Sequence, residues 1–67
     1  MSDFNIINNG SVIGFLANTE QAQDWVRLNV ASEDWQWLGN VLWCDHRAGQ
    51  ELAVVLAFEG FDVKVGL

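Results

Sequence analysis

Residues 45–60 read DHRAGQELAVVLAFEG, and the conformation of this stretch decides the fold of the chain. Its central run, residues 52–58, is entirely apolar and fits either a buried strand or a largely apolar helix. Asp45 is a strong N-cap residue, and Gly60 is typical of the position just after a helix. The length of the stretch and these two ends favour a helix over residues 46–59.

A β-hairpin is predicted at the start of the chain. Two apolar runs, residues 4–7 and residues 12–16, flank the sequence NNGS at residues 8–11. The Asn-Gly dipeptide within it is the strongest short hairpin signal, because both residue types tolerate positive φ. We therefore expect two antiparallel strands joined at this dipeptide.

The next segment predicts an amphipathic helix over residues 20–29, with apolar residues at helical spacing and charged residues on the opposite side. Either Asn18 or Thr19 caps it, and Glu20 in the first turn interacts favourably with the helix dipole. Trp25 is expected to face the sheet from this helix. The apolar side consists of Ala22, Trp25 and Val26, and the charged side consists of Glu20, Asp24 and Arg27.

Two further strands complete the predicted fold. One covers residues 37–44 and is interrupted by Gly39, which marks either a bulge or a strand end. The other covers residues 61–65, where apolar and charged residues alternate, and the polar residues 31–36 form a loop. The order is β-β-α-β-α-β, which predicts a single compact α+β domain over residues 1–67. Right-handed connections place both helices on one face of a four-stranded mixed sheet.

This arrangement leaves apolar side chains uncovered, because two helices protect only one face of a sheet whose strands are apolar on both. A second copy of the chain would cover the surplus through an isologous contact, so we expect a homodimer. In the third predicted strand the opposed residues are Val41 and Trp43 on one face and Leu42 and Cys44 on the other. In the second helix, Val54 and Phe58 lie off a stripe of Leu52, Val55 and Leu56.

The charge balance restricts the partners of this chain. Nine Asp and Glu residues stand against three Lys and Arg residues, for a net charge of -6. Nucleic-acid binding depends on neutralising phosphates with Lys and Arg, so we expect no direct contact with nucleic acid. The acidity serves either general solubility or attraction to a basic protein surface. With no leader pattern and no membrane-length apolar run, we expect a cytoplasmic protein in a bacterial host with no membrane partner.

Cys44, Asp45 and His46 are adjacent and invite a catalytic interpretation as a nucleophile and a base. Neighbouring residues at a strand end point in different directions, which disfavours a Cys–His pair. We expect a buried thiol, a helix cap and a first-turn histidine instead. A single cysteine forms no internal disulfide, and no second histidine or Cys-x-x-Cys spacing indicates a metal site. The sequence therefore predicts no catalytic residue, no metal and no cofactor.

Tryptophans beside carboxylates predict a surface for a protein partner. Trp35 and Trp37 share a face if their segment is extended, and tryptophan is enriched at binding hot spots. The alternative is that these two residues and Trp43 close the edge of the core. The candidate contact residues are Glu20, Asp24, Glu33, Asp34, Trp35 and Trp37.

Five short segments form a pattern that spans most of the chain. They are Asn9-Gly10-Ser11, Asp24-Trp25-Val26, Gln36-Trp37-Leu38-Gly39, Asp45-His46-Arg47 and Glu59-Gly60-Phe61-Asp62-Val63. This pattern resembles a group of small proteins found in phages, prophages and plasmids of proteobacteria. In size and acidity the chain is also similar to type I anti-CRISPR proteins, which typically bind a Cas protein or effector complex and often mimic the charge of nucleic acid.

The resemblance implies a non-enzymatic inhibitor of a host protein, with a Cas effector subunit as the expected partner and an acidic, aromatic surface as a DNA mimic. One alternative is a homodimeric accessory or structural phage protein without a host target. A third class is a small enzyme centred on Cys44 and His46. Three measurements separate these classes. Charge reversals test the inhibitor, the oligomeric state tests the homodimer, and the effect of Cys44→Ala on activity tests the enzyme.

Overall fold

A computed structural model describes residues 2–30 and 36–66, and within them the chain forms an α+β fold of five strands and two helices. The strands are β1 (Phe4–Asn9), β2 (Val12–Ala17), β3 (Gln36–Leu38), β4 (Val41–Asp45) and β5 (Val63–Val65), and the helices are α1 (Glu20–Asn29) and α2 (His46–Phe58). The sheet is mixed, with strand order β3-β4-β2-β1-β5. Only the β1–β5 pair is parallel; the other neighbours are antiparallel. The α+β class and the mixed sheet are confirmed, but the prediction of four strands is wrong.

The extra strand arises because the segment predicted as one strand is a hairpin of β3 and β4. Leu38 pairs with Val41, so Gly39 and Asn40 form a two-residue turn. Gly39 has φ 61, a conformation that glycine adopts without the cost a Cβ would bring. A glycine in the first central position is typical of the tight turns that join antiparallel strands. Gly39 therefore marks a strand end, which was one of the two predicted alternatives, and the order is β-β-α-β-β-α-β.

The first hairpin forms where it was predicted, but its turn is shifted by one residue. Asn9 pairs with Val12, so the two central turn residues are Gly10 and Ser11 rather than Asn9 and Gly10. Asn9 belongs to strand β1 and has no positive φ. Glycine in the first central position again sets the turn, as in the second hairpin.

Both helices begin at the caps that their sequences provide. The Thr19 hydroxyl oxygen accepts a hydrogen bond from the Ala22 N–H at 3.0 Å, which selects Thr19 over Asn18 as the cap of α1. The Asp45 carboxylate accepts from the Ala48 N–H at 2.8 Å and caps α2. Each bond satisfies a backbone donor that has no partner within the helix.

Helix α2 ends at Phe58, one residue earlier than predicted, in a Schellman arrangement. The Gly60 N–H donates to the Ala57 carbonyl and the Phe61 N–H donates to the Leu56 carbonyl, both at 3.1 Å. These two bonds close the end of the helix and turn the chain back towards the sheet. The ambiguous apolar run is thus a helix, and Phe61 is brought against the core.

The two helices cover the same face of the sheet, as predicted. Strand β2, which precedes α1, runs antiparallel to strand β4, which precedes α2. The connection through α1 leads to β3 at one edge of the sheet, and the connection through α2 leads to β5 at the other edge. Because both connections are right-handed, both helices lie on the same face. Strand alternation supplies the inward residues, and the register places Phe15 beside Leu42 and Ile13 beside Cys44. The buried core consists of Phe4, Ile13, Phe15, Ala17, Ala22, Val26, Leu42, Cys44, Leu52 and Leu56.

The opposite face of the sheet is apolar and has no helix among the described residues; we call it the open sheet face. Val41 and Trp43 lie on it, whereas their neighbours Leu42 and Cys44 are buried beneath the helices, as the alternation predicted. Trp43 lies across Gly14, where an added Cβ would be 2.8 Å from the indole. The open sheet face is formed mainly by Ile7, Leu16, Leu38, Val41 and Trp43.

The buried stripe of α2 differs from the prediction at one position. Val55, which was expected beside Leu52 and Leu56, is 45% exposed. The third buried residue is Gly49 instead, since a Cβ at this position would lie 2.9 Å from the Ile13 side chain. The helix approaches strand β2 at Gly49, and this close approach settles which side of α2 faces the sheet.

Candidate partner-binding surface

The structure places the sequence-predicted contact residues in two different surroundings. Glu20 and Asp24 are exposed on the outer side of α1. Trp37 is half-buried at the β3 edge, and the Arg27 guanidinium carbon lies 4.7 Å from its ring centroid. That contact is a cation–π interaction, so the described residue that covers the Trp37 ring is a cation. Glu33, Asp34 and Trp35 lie outside the described residues.

Of the tryptophans within residues 2–30 and 36–66, Trp25 is the one that lines a depression with two carboxylates. It packs against the core as predicted, but it is only half-buried. Its ring meets Phe61 edge to face, with centroids 5.7 Å apart and planes at 71°. Phe61 in turn meets the buried Phe4 at 5.3 Å. This aromatic row runs from the core to the surface and holds the indole in place.

A depression of about 340 Å³ opens beside this aromatic pair, and we call it the acidic pocket. Three separate parts of the chain form it: the start of β1, the first turns of α1, and the connection between α2 and β5. Its walls combine two aromatic rings with two carboxylates and an amide. The lining residues are Asp3, Gln21, Trp25, Glu59, Gly60 and Phe61.

Hydrogen bonds hold the two ends of the chain together at the acidic pocket. The Asp62 carbonyl accepts from the Asp3 and Phe4 N–H groups at 2.8 and 3.1 Å. One Asp3 carboxylate oxygen accepts from the Asp62 N–H at 2.9 Å. The Asn18 N–H donates to the Asp3 carbonyl at 2.8 Å. The backbone around the pocket is therefore fixed before any ligand arrives, which reduces the ordering cost of binding.

Negative charge is concentrated around the acidic pocket. Glu20 and Asp24 directly precede its lining residues in α1, and Asp62 directly follows Phe61. No basic side chain lines the pocket: Arg27 covers Trp37, Arg47 is in the first turn of α2, and Lys64 pairs with Asn5 in the sheet. The acidic corner, as we call it, comprises Asp3, Glu20, Asp24, Glu59 and Asp62.

A second depression of about 250 Å³ lies between the helices, on the other side of Trp25. Its walls are mainly apolar, with Glu51 and Asn29 among them. Trp25 is the residue that the two depressions share. The remaining residues of this groove are Val30, Ala48, Leu52 and Val55.

The Cys44-Asp45-His46 sequence has the structural roles that were predicted. Cys44 is 4% exposed, and its thiol donates to the Ile13 carbonyl at 3.5 Å. Burial, together with the nearby charge of Asp45, raises the pKa of this thiol to about 11, which keeps it protonated and poorly nucleophilic. His46 uses its Nε2–H to donate to the Gly10 carbonyl in the first hairpin turn. The thiol and the imidazole are thus bound to different partners.

Within residues 2–30 and 36–66, no group of three or more His, Cys, Asp or Glu side chains is placed to hold a metal ion. Neither helix in this part of the chain has the length and apolarity needed to cross a membrane. No family model, curated protein or solved structure matches the chain.

The residues of the acidic pocket were largely missed by the sequence analysis. Asp3, Glu59 and Phe61 are close in space only because β1 pairs with β5, and these strands lie at opposite ends of the chain. The one local signal was the helix stop at Gly60, which predicts that the following residue packs back against the helix. That signal points to Phe61 but not to the carboxylates around it.

Proposed function

We propose that this chain is a non-enzymatic inhibitor from a phage or other mobile element, and that it binds a host nucleic-acid-processing complex. The proposed target is a type I Cas effector complex. The acidic corner would occupy a basic groove that otherwise binds DNA, and Trp25 and Phe61 would supply apolar contact area. One observation carries this proposal: the carboxylates of Asp3 and Glu59 line one pocket with the half-buried rings of Trp25 and Phe61, and no basic side chain lines that pocket.

Physical chemistry supports a protein partner with a basic surface. Complementary charge accelerates association and gives it a steep dependence on salt. Aromatic side chains add contact area at a small entropic cost, which is why they are enriched at binding hot spots. The acidic corner supplies both contributions on one side of the molecule.

A pair of charge reversals tests the proposal. Asp24→Lys changes the acidic corner, and Glu51→Lys makes the same change in net charge on α2, outside the acidic pocket. Both positions are exposed within helices, so both variants are expected to fold. Inhibition is measured as the loss of target-DNA binding by a purified type I effector complex, across a salt series.

We expect Asp24→Lys to slow association about tenfold at low salt and Glu51→Lys to have a much smaller effect. Adding Glu20→Lys to Asp24→Lys is expected to slow association further. Equal inhibition by all variants would refute the charge-mimic mechanism. If the unsubstituted chain inhibits no type I complex, the proposed target is wrong.

The open sheet face favours a second candidate function, that of a homodimeric accessory or structural phage protein without a host target. Val41 and Trp43 are half-buried there, and Leu38 is 64% exposed. A second copy placed on this face would remove these side chains from water, which is favourable in proportion to the apolar area covered. The occupant we propose is an identical chain in an isologous contact.

Light scattering coupled to size-exclusion chromatography tests this second candidate. A dimer in the unsubstituted chain and a monomer in Val41→Lys would support it. Val54→Lys is the matched control, because Val54 is exposed on α2, on the opposite side of the sheet. A chain that remains monomeric at high concentration would exclude the dimer.

A further inference from the structure

The acidic pocket has the chemistry of a site for a cationic group. Trp25 and Phe61 form an aromatic wall, and the face of an aromatic ring attracts a positive charge. The carboxylates of Asp3 and Glu59 line the same depression. An anion would be repelled there, and an uncharged apolar group would desolvate the carboxylates without offering them a hydrogen bond.

Shape favours a guanidinium group over an ammonium group. The depression of about 340 Å³ is large enough for either side chain, so its size does not discriminate. The planar guanidinium stacks on an aromatic ring and donates in parallel to carboxylate oxygens at the same time. The ammonium of lysine is a compact, strongly hydrated charge that has no such planar fit.

Different parts of the fold position the carboxylates of Asp3 and Glu59. One Asp3 oxygen accepts from the Asp62 N–H, so this side chain has a defined position. Glu59 is the C-cap residue of α2 and is exposed. The Gln21 amide also lines the depression and adds a polar group to it. The lining of the pocket therefore combines carboxylate and amide hydrogen-bond acceptors with aromatic surface.

We propose that the acidic pocket receives an arginine side chain from the partner protein, with the guanidinium against Trp25 and hydrogen bonds to Asp3 and Glu59. This inference rests on the proposed function, because a groove that binds DNA is rich in arginine. It specifies which chemical group of the partner the acidic corner recognises. Arginine is also among the residues that carry most of the binding energy at protein interfaces.

Titration of the full chain with N-acetyl-arginine amide tests the inference directly. Nuclear magnetic resonance would follow the indole N–H of Trp25 and the backbone N–H of Phe61. We expect saturable shifts of both signals with the arginine compound, and weaker binding of the lysine compound. The citrulline compound has nearly the same shape without the charge, so we expect it to cause no saturable shift.

Two variants with the same change in net charge locate the site. Glu59→Gln removes a carboxylate from the pocket, whereas Asp24→Asn removes one from the neighbouring outer side of α1. We expect Glu59→Gln to weaken arginine binding about threefold, as for the loss of one exposed ion pair, and Asp24→Asn to weaken it much less. Equal weakening by both variants would show a diffuse attraction and overturn the proposal.

The outcomes separate this inference from the proposed function. Loss of inhibition in Asp24→Lys without a saturable arginine shift would overturn the pocket inference and leave the inhibitor function standing. A saturable arginine shift without inhibition of any type I complex would support the pocket and refute the function. Saturable shifts with citrulline as strong as those with arginine would exclude a cation site.

Discussion

Replacing Leu56 with alanine is expected to cost this protein about 3 kcal/mol of folding free energy. Leu56 is 0% exposed and belongs to the core beneath the helices. Truncating a buried leucine costs about 2–5 kcal/mol, since apolar contact is lost and a cavity remains. A chain of 67 residues has a total stability of roughly 3–10 kcal/mol. The variant is therefore expected to be marginally folded, with a Tm lower by roughly 15–20 °C.

Phe58→Ala is the matched control for this experiment. Phe58 lies two residues further along the same helix and is 89% exposed. Although phenylalanine is larger than leucine, its truncation at an exposed position is expected to cost less than about 0.5 kcal/mol. Urea denaturation followed by far-UV circular dichroism, at a low protein concentration, measures both variants on one scale.

The comparison discriminates between the two conformations that the apolar run permits. In a strand, residues 56 and 58 would share a face and both substitutions would be costly. In a helix they point about 160° away from each other, as two residues separated by two positions at 100° each do. A Phe58→Ala cost equal to or above that of Leu56→Ala would refute this account of α2.

Three further predictions concern single positions. Asp45→Ala removes the acceptor for the Ala48 N–H and is expected to cost about 1 kcal/mol of stability in urea denaturation. Gly39→Ala forces a Cβ into a left-handed backbone conformation and is expected to cost about 1–2 kcal/mol in the same assay. The pKa of the Cys44 thiol is raised from 9.0 to about 11 in the folded chain, so unfolding becomes easier once the pH allows the unfolded thiol to ionise. This effect changes the free energy of unfolding by about 3 kcal/mol. The stability is fully present below pH 9 and is lost as the pH rises through about 11.

Each of these predictions has a control. Asp45→Asn keeps a cap acceptor and is expected to restore most of the stability that Asp45→Ala loses. Asn40→Ala changes the neighbouring turn residue, whose φ is not positive, and is expected to be nearly neutral. Cys44→Ala removes the thiol and is expected to flatten the alkaline part of the stability curve. Equal losses in Asn40→Ala and Gly39→Ala, or an unchanged alkaline decline in Cys44→Ala, would contradict the reasoning.

The features that depend on local interactions were correctly predicted from the sequence. The bounds of α1 follow from a capping residue and one apolar side, and both are set by residues within a few positions of each other. The same is true of the Asp45 cap and of the stop at Gly60, which hydrogen bonds within the last turn of α2 enforce. Strand alternation also predicted correctly that Val41 and Trp43 lie on the face opposite to that of Leu42 and Cys44.

The hairpin turns show where local reasoning needs the partner strand. A glycine inside an apolar run is compatible with a bulge or a strand end. Gly39 follows the end of β3, and the pairing of Leu38 with Val41 places it in a two-residue turn. The shift of the first turn to Gly10 has the same cause, since the pairing of Asn9 with Val12 determines which residues remain in the turn.

By itself, the sequence determined the two helices, the Asp45 cap of α2 and the alternation of the strands, because these features depend on neighbours along the chain. Only the tertiary structure decided that Gly49 rather than Val55 faces the sheet, since this depends on how closely α2 approaches Ile13. It also decided that Asp3 and Glu59 line one pocket with Trp25. These residues meet because β5 returns to pair with β1, and no local pattern specifies a contact between the two ends of a chain.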